Sequence, residues 1–313
     1  MNGGSVNLSV DIGRGLTIPN PVMVASGTFG YGLEYARFVD IGRLGAIIVK
    51  TLTVKPRDGN PGPRIVETPA GMLNAIGLAN IGIDAFLTQQ LPALAKYGMP
   101  IIVNIYGESP DEFVELARRL ADAQNVAGIE INLSCPNIEH THSSRRGALV
   151  AQDPDAVARI VAAVRESSDM PIIAKLSPNV TDISSIAKSA EQAGADAVSL
   201  INTITGMAID VDTRQPILAN RTGGLSGPAI RPVAVRMVWE TAQAISIPVI
   251  GVGGITCARD ALEFIIAGAS AVCVGSATFK NPGTVLDVID GIRHYAETHG
   301  ISDITDLTGS IDS

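Results

Sequence analysis

The chain is 313 residues long and 46 % hydrophobic, with 32 Gly and 18 Pro; that length exceeds an ordinary domain and matches an α/β barrel. Its formal net charge of −8 argues against non-specific nucleic-acid binding, which needs a basic surface. Three cysteines, Cys135, Cys257 and Cys273, form neither a CxxC motif nor a paired framework, so they suit a reducing compartment and fall short of a four-cysteine iron–sulfur site.

The opening MNGGSVNLSV carries no basic n-region and no apolar h-region, so no signal peptide is expected. No apolar run approaches the roughly 18 residues of a membrane span, and a cytoplasmic chain is expected. Val6–Val10 and Leu16–Ile18 flank a Gly-containing turn, Asp11 to Gly15, and predict a short hairpin that would close the bottom of a barrel. From Pro21 onward, short β-branched runs alternate with helical patterns. The runs are Val22–Ala25, Ala46–Val49, Ile101–Ile105, Gly128–Leu133, Ile172–Leu176, Ala197–Ile201, Val249–Val252 and Ala271–Val274. Helices are predicted over Asp111–Ala123, Pro154–Glu166, Asp182–Ala193, Ile230–Ala244 and Ala258–Ala267, several of them opened by Pro or an acidic residue. Gly98, Gly194 and Gly268 stand where C-caps are needed.

Eight βα units with nearly continuous apolar strands imply a parallel sheet covered on both faces. They close most simply as a (β/α)8 TIM barrel, in one domain over 1–313; a doubly wound open sheet is the alternative. Two insertions exceed the usual loop length, Thr51–Asn80 and Asn202–Gly227, and long loops of this kind in a compact barrel are commonly functional.

The stretch 128–137, GIEINLSCPN, is the most informative. Its alternating Ile129, Ile131 and Leu133 read as a buried strand, and Pro136 stops it. Asn132, Cys135 and Asn137 then fall at the carboxyl end. Buried amides without partners cost a few kcal/mol each. Either these groups satisfy a turn around an inert thiol, or they face a pocket. The remaining strand ends favour the pocket. They supply Ser26, Lys50 with Thr51, Asn104, Lys175, Asn202 with Thr203, the run Gly251 to Ile255, and Gly275 with Ser276. Barrel active sites gather at these carboxyl ends. Bare N–H groups at Gly253, Gly254, Gly275 and Ser276 match the phosphate site of the last two βα loops.

No HExxH, nucleophile elbow or P-loop occurs. His140 and His142 lack an acidic or Cys companion, so no metal is assigned. The loop Ile138 to Gly147 reads as a lid. Cys257 and Cys273 read as structural. A flavin-free barrel isomerase or lyase would share the glycine pair without explaining Lys50, Lys175 and the asparagines; a non-catalytic binding barrel is a further alternative.

Taken together, SGTFG (26–30), VKT (49–51), MLNAIGL (72–78), VNIYG (103–107), INLSCPN (131–137), AKLSPN (174–179), GGLSGPAI (223–230), GVGGI (251–255) and VGSA (274–277) resemble the dihydroorotate dehydrogenases over nearly the whole chain. The cysteine in NLSCPN resembles class 1, and GGLSGPAIRP with VNIYG resembles the 1B catalytic subunit more than the fumarate-using 1A enzyme. The resemblance implies an FMN-containing oxidoreductase that converts (S)-dihydroorotate to orotate in pyrimidine synthesis. It implies Cys135 as general base, assisted by Lys50. It implies Asn74, Asn132, Asn137, Asn202 and Thr203, with Lys50 and the backbone of Ile76, Gly77 and Leu78, as the substrate grip. Ser26, Lys50, Thr51, Asn104, Asn132, Lys175, Ile201 and Gly227 would line the flavin, and Gly253, Gly254, Gly275 and Ser276 would hold its phosphate. It further implies a homodimer core in a heterotetramer with a subunit carrying FAD and a 2Fe–2S cluster, which passes electrons to NAD.

Overall fold

The computed structural model describes residues 6–133 and 150–312. Cys135, Asn137 and the loop 138–147 lie outside them. The strands, in chain order, are β1 (Val10–Asp11), β2 (Thr17–Ile18), β3 (Val22–Val24), β4 (Ala46–Leu52), β5 (Ile65–Thr68), β6 (Gly71–Asn74), β7 (Ile101–Ile105), β8 (Gly128–Asn132), β9 (Ile172–Lys175), β10 (Ala197–Leu200), β11 (Ile204–Met207), β12 (Ile209–Asp210), β13 (Gln215–Pro216), β14 (Thr222–Ser226), β15 (Val249–Val252) and β16 (Ala271–Val274). Eight of them close a barrel in the order β10-β15-β16-β3-β4-β7-β8-β9, every pairing within it parallel. The doubly wound alternative is thereby excluded. All eight predicted runs are the barrel strands, with ends moved by three residues at most. The β1–β2 hairpin forms as expected, although Asp11 joins its strand rather than its turn.

The outer layer contains α1 (Gly82–Ala85), α2 (Leu91–Leu94), α3 (Pro110–Ala121), α4 (Pro154–Ser167), α5 (Ile183–Gln192), α6 (Arg231–Ala242), α7 (Ala258–Ile266), α8 (Ala277–Lys280) and α9 (Thr284–Thr298). Sequence chemistry explains the starts. Ser109 Oγ accepts from the Glu112 N–H at 3.4 Å, and Pro110 occupies the first turn of α3, where its missing donor costs nothing. Asp153 and Asp182 cap α4 and α5 in the same way. On α3 the buried side chains are Phe113, Leu116, Ala117 and Leu120, the i, i+3, i+4, i+7 stripe. Burying Phe113, Leu116 and Leu120 contributes about 1.5–3 kcal/mol each. Gly98, Gly194 and Gly268 all have positive φ at helix ends, as caps require.

The two insertions are not open loops. They meet as a four-stranded antiparallel sheet, β11-β14-β6-β5. Asn74 of the first pairs with Gly224 of the second. A small apolar cluster, Leu73, Ala75 and Leu218, packs this sheet separately from the barrel core. Asn80 stitches the first insertion down. Its Oδ1 accepts from the Gly82 N–H at 2.8 Å, and its Nδ2 donates to the Leu78 carbonyl at 2.8 Å and to Thr53 Oγ1 at 2.9 Å.

Candidate functional site

β-Strands alternate their side chains between faces. On β8 this sends Ile129 and Ile131 to one face and Glu130 and Asn132 to the other. Asn132 stands at the carboxyl end and Glu130 one pleat below it. The same register brings Lys175 opposite Asn132 and Glu130 opposite Asn104. Polar groups are thus stacked inside the barrel, beneath an opening at its carboxyl mouth.

That opening is a pocket holding an empty volume of about 960 Å³, its solvent-filled mouth included. Of the residues singled out from sequence, Ser26, Lys50, Thr51, Asn74, Ile76, Gly77, Leu78, Asn132, Lys175, Asn202 and Thr203 line it. They come from β4, β6, β8 and β9 and from the segments following β3, β6 and β10. Asn132 Nδ2 donates to Thr51 Oγ1 at 3.4 Å, and the Ser26 and Thr51 hydroxyls are 3.5 Å apart. Asn74 Nδ2 donates to the Gly224 carbonyl at 3.2 Å, tying the pocket wall to the four-stranded sheet. Asn202 Oδ1 accepts from the Thr203 N–H at 2.8 Å. Burial draws the Lys50 ammonium below its ordinary pKa, opposed by Glu34 and reinforced by Arg64. Leu78, on the pocket wall, adopts a φ of 57°, which is uncommon for a residue with a Cβ.

The other predicted residues sit apart from this wall. Asn104 is fully buried and donates from Nδ2 to Glu130 Oε1 at 2.5 Å. Its Oδ1 is buried and has no hydrogen-bond partner among the described residues. Ile201, Gly227, Gly253 and Gly254 form a neighbouring backbone cradle. A Cβ on Gly254 would come within 2.8 Å of the Gly227 carbonyl oxygen, and one on Gly227 within 2.6 Å of the Gly71 Cα. Both have positive φ, 71° and 99°, so only glycine fits without strain. Gly275 and Ser276 follow β16, and a Cβ on Gly275 would meet nothing nearer than Ala25 at 3.8 Å.

Gly27 and Thr28, within the SGTFG motif, line the pocket too, and sequence reasoning missed four further lining residues, Ile65, Met72, Ser226 and Phe279. Three of them lie on the four-stranded sheet, whose existence had no local signal. It also missed Glu130, 1 % exposed, for which the in-phase spacing with Asn132 was available. Cys273 is buried in β16, as expected of a structural thiol, and its pKa is driven up by burial and by Glu130, with Lys175 opposing. Cys257 is exposed and caps α7. Among the described residues no helix is long and apolar enough to cross a membrane.

A closed parallel barrel with two ammonium groups and a set of amides at its carboxyl mouth, beside a glycine cradle, is a (β/α)8 barrel built to bind a polar ligand. The chain belongs to the dihydroorotate dehydrogenase family, whose sequence profile matches residues 8–295. It is 54 % identical over 298 residues to the dihydroorotate dehydrogenase B (NAD(+)) catalytic subunit of Pelobacter propionicus, covering 95 % of this chain and 96 % of that protein. It is likewise 54 % identical over 308 residues to the protein of that name from Geotalea uraniireducens, covering 98 % and 99 %. The protein of that name from Thermoanaerobacter sp. is 52 % identical over 306 residues.

Proposed function

We propose that the chain oxidises (S)-dihydroorotate to orotate for pyrimidine synthesis, as the FMN-bearing catalytic subunit of an NAD-linked enzyme. The observation that carries this reading is the convergence of Lys50, Lys175, Asn74, Asn132 and Asn202 on one pocket. A planar acid bearing ring amides offers carbonyls and N–H groups to such amides, and a carboxylate to an ammonium. The family and the names of its near relatives support it further.

The residues fit a flavin nucleotide. Gly253 and Gly254 directly follow β15, and Gly275 and Ser276 directly follow β16, so bare backbone N–H groups stand at the starts of the last two βα loops, where barrels of this kind hold a phosphate. The unpartnered Asn104 Oδ1 is a buried acceptor that a donor would satisfy. On this reading Ser26, Lys50, Thr51, Asn104, Asn132, Lys175, Ile201 and Gly227 hold the ring system, and Gly253, Gly254, Gly275 and Ser276 hold the phosphate. FMN held by these residues would supply the acceptor for the hydride leaving substrate C6. Lys175 supplies positive charge where negative charge develops. Cys135 takes the C5 proton, which the adjacent carbonyl acidifies. Lys50, Asn74, Asn132, Asn137, Asn202 and Thr203, with the Ile76 to Leu78 backbone, orient the ring so that both C–H bonds are presented correctly. The same reading treats residues 1–313 as one domain. It sets the chain in the cytoplasm, where free Cys257 and Cys273 are stable. It pairs two copies with two FAD and 2Fe–2S subunits.

The test is direct. The purified chain is expected to carry yellow FMN and to bind orotate. Cys135→Ala is expected to keep both while losing about 10²- to 10⁴-fold in turnover with dihydroorotate. Undiminished turnover would rule Cys135 out as the base.

A further inference from the structure

One buried acid has no part in the roles given above. Glu130 is 1 % exposed and lies one pleat beneath Asn132. Side chains from three other barrel strands surround its carboxylate: the two that flank β8, and β10 beyond β9. Asn104 of β7 donates to Oε1 at 2.5 Å, Ser199 of β10 donates to Oε2 at 2.7 Å, and Lys175 Nζ of β9 lies 3.6 Å from Oε1. Lys175 is the cation paired with it among the described residues, and it also lines the pocket. Stability alone does not account for such a pair, because an apolar pair of similar volume is typically as stable or more so. The distances divide the work. At 3.6 Å the carboxylate is too far for a good hydrogen bond, so the ammonium keeps its donors for the pocket. Coulomb attraction still acts strongly across that gap in a dry site.

We propose that Glu130 is a positioning residue for Lys175 that sets the electron affinity of the bound flavin. It anchors the ammonium at the pocket wall and offsets part of its charge. A bare ammonium would hold the flavin's added negative charge more tightly, and the electrons would be passed on less readily. This inference rests on the flavin reading above.

Glu130→Gln isolates the charge. The new amide oxygen can accept from Asn104, and its N–H₂ can donate to Ser199, whose hydroxyl turns to accept. The measurement is the affinity of the protein for reduced against oxidised FMN, equivalent to the midpoint potential of the bound flavin. In Glu130→Gln the preference for reduced FMN is expected to rise by about tenfold or more. Lys175→Gln is expected to lower it. Adding Glu130→Gln to Lys175→Gln is expected to change it by less than about threefold, because without the ammonium there is nothing left for the carboxylate to position or offset. In the flavin-free protein the double variant should melt higher than the sum of the single effects implies, since it buries no lone charge.

An unchanged or lowered preference in Glu130→Gln overturns the proposal and leaves Glu130 a packing residue. An equal rise in both backgrounds overturns it too, because Glu130 would then act independently of Lys175. If Glu130→Gln does not fold, the double variant against Lys175→Gln remains decisive: agreement within about threefold is expected, and a larger gap overturns the proposal. A wild-type chain that takes up no FMN would instead sink the flavin reading, before any variant is made.

Discussion

Lys50 shows how a site residue can cost stability. Its ammonium is drawn below its ordinary pKa chiefly by burial, with Glu34 opposing and Arg64 adding to the pull. An unfolded lysine titrates near about 10.4. Between the lowered value and that one, the unfolded chain binds more protons than the folded one, so stability rises with pH across the window. Below the window the full cost of burying the charge remains. Lys50→Met should therefore gain most over the wild type at neutral pH, and the gain should shrink toward pH ~10.4 as the native lysine loses its charge in both states. Urea midpoints across that range measure it, and a gain that does not shrink would contradict the buried-charge account. At this same scale the sequence was readable where chemistry was displayed at strand ends: Lys50, Lys175, Asn132 and Asn202 all face the pocket. It was less readable one layer down. Glu130 sits amid isoleucines, and its partners Asn104 and Ser199 are 26 and 69 residues away along the chain.

Whole elements divide by whether their cause is local. The barrel strands are buried on both faces, so continuous apolar runs announced them. The helices α3, α4 and α5 announced themselves by caps and by their apolar stripes. The Gly82–Leu94 segment did not, because a π turn at Phe86–Gln90 separates two short helices and breaks the period. The four-stranded sheet was unreadable because its central pairing joins residues about 150 positions apart, Asn74 and Gly224. Its own small cluster gives a test at this scale. Leu73 is 3 % exposed there, whereas Ile131 is wholly buried in the barrel core. Truncating either to alanine costs about 2–5 kcal/mol locally. Leu73→Ala should loosen the sheet that carries Asn74 and weaken orotate binding more than it lowers the melting temperature. Ile131→Ala should do the reverse. Calorimetry beside orotate titration separates them, and identical profiles would mean that sheet and barrel unfold as one unit.

For the whole molecule the prediction concerns the route by which electrons leave. On the proposed reading the chain by itself is a half-enzyme. The lone chain should reduce a small dye with dihydroorotate yet reduce NAD only after the FAD and 2Fe–2S subunit is added. Efficient fumarate reduction by the lone chain would overturn the NAD-linked reading in favour of the 1A type.

Closure of the cylinder has a temporal side as well. The seam runs between β16 and β3, joining Val272 to Val22 and Val274 to Val24, so the first-made strand must wait some 250 residues for its partner. During synthesis every earlier strand can find a neighbour, but the ring stays open until all but about the last eighth of the chain has been made. The mouth that seats the ligand is therefore among the last features to be completed, and ligand uptake would mark a nascent chain that has finished its circle.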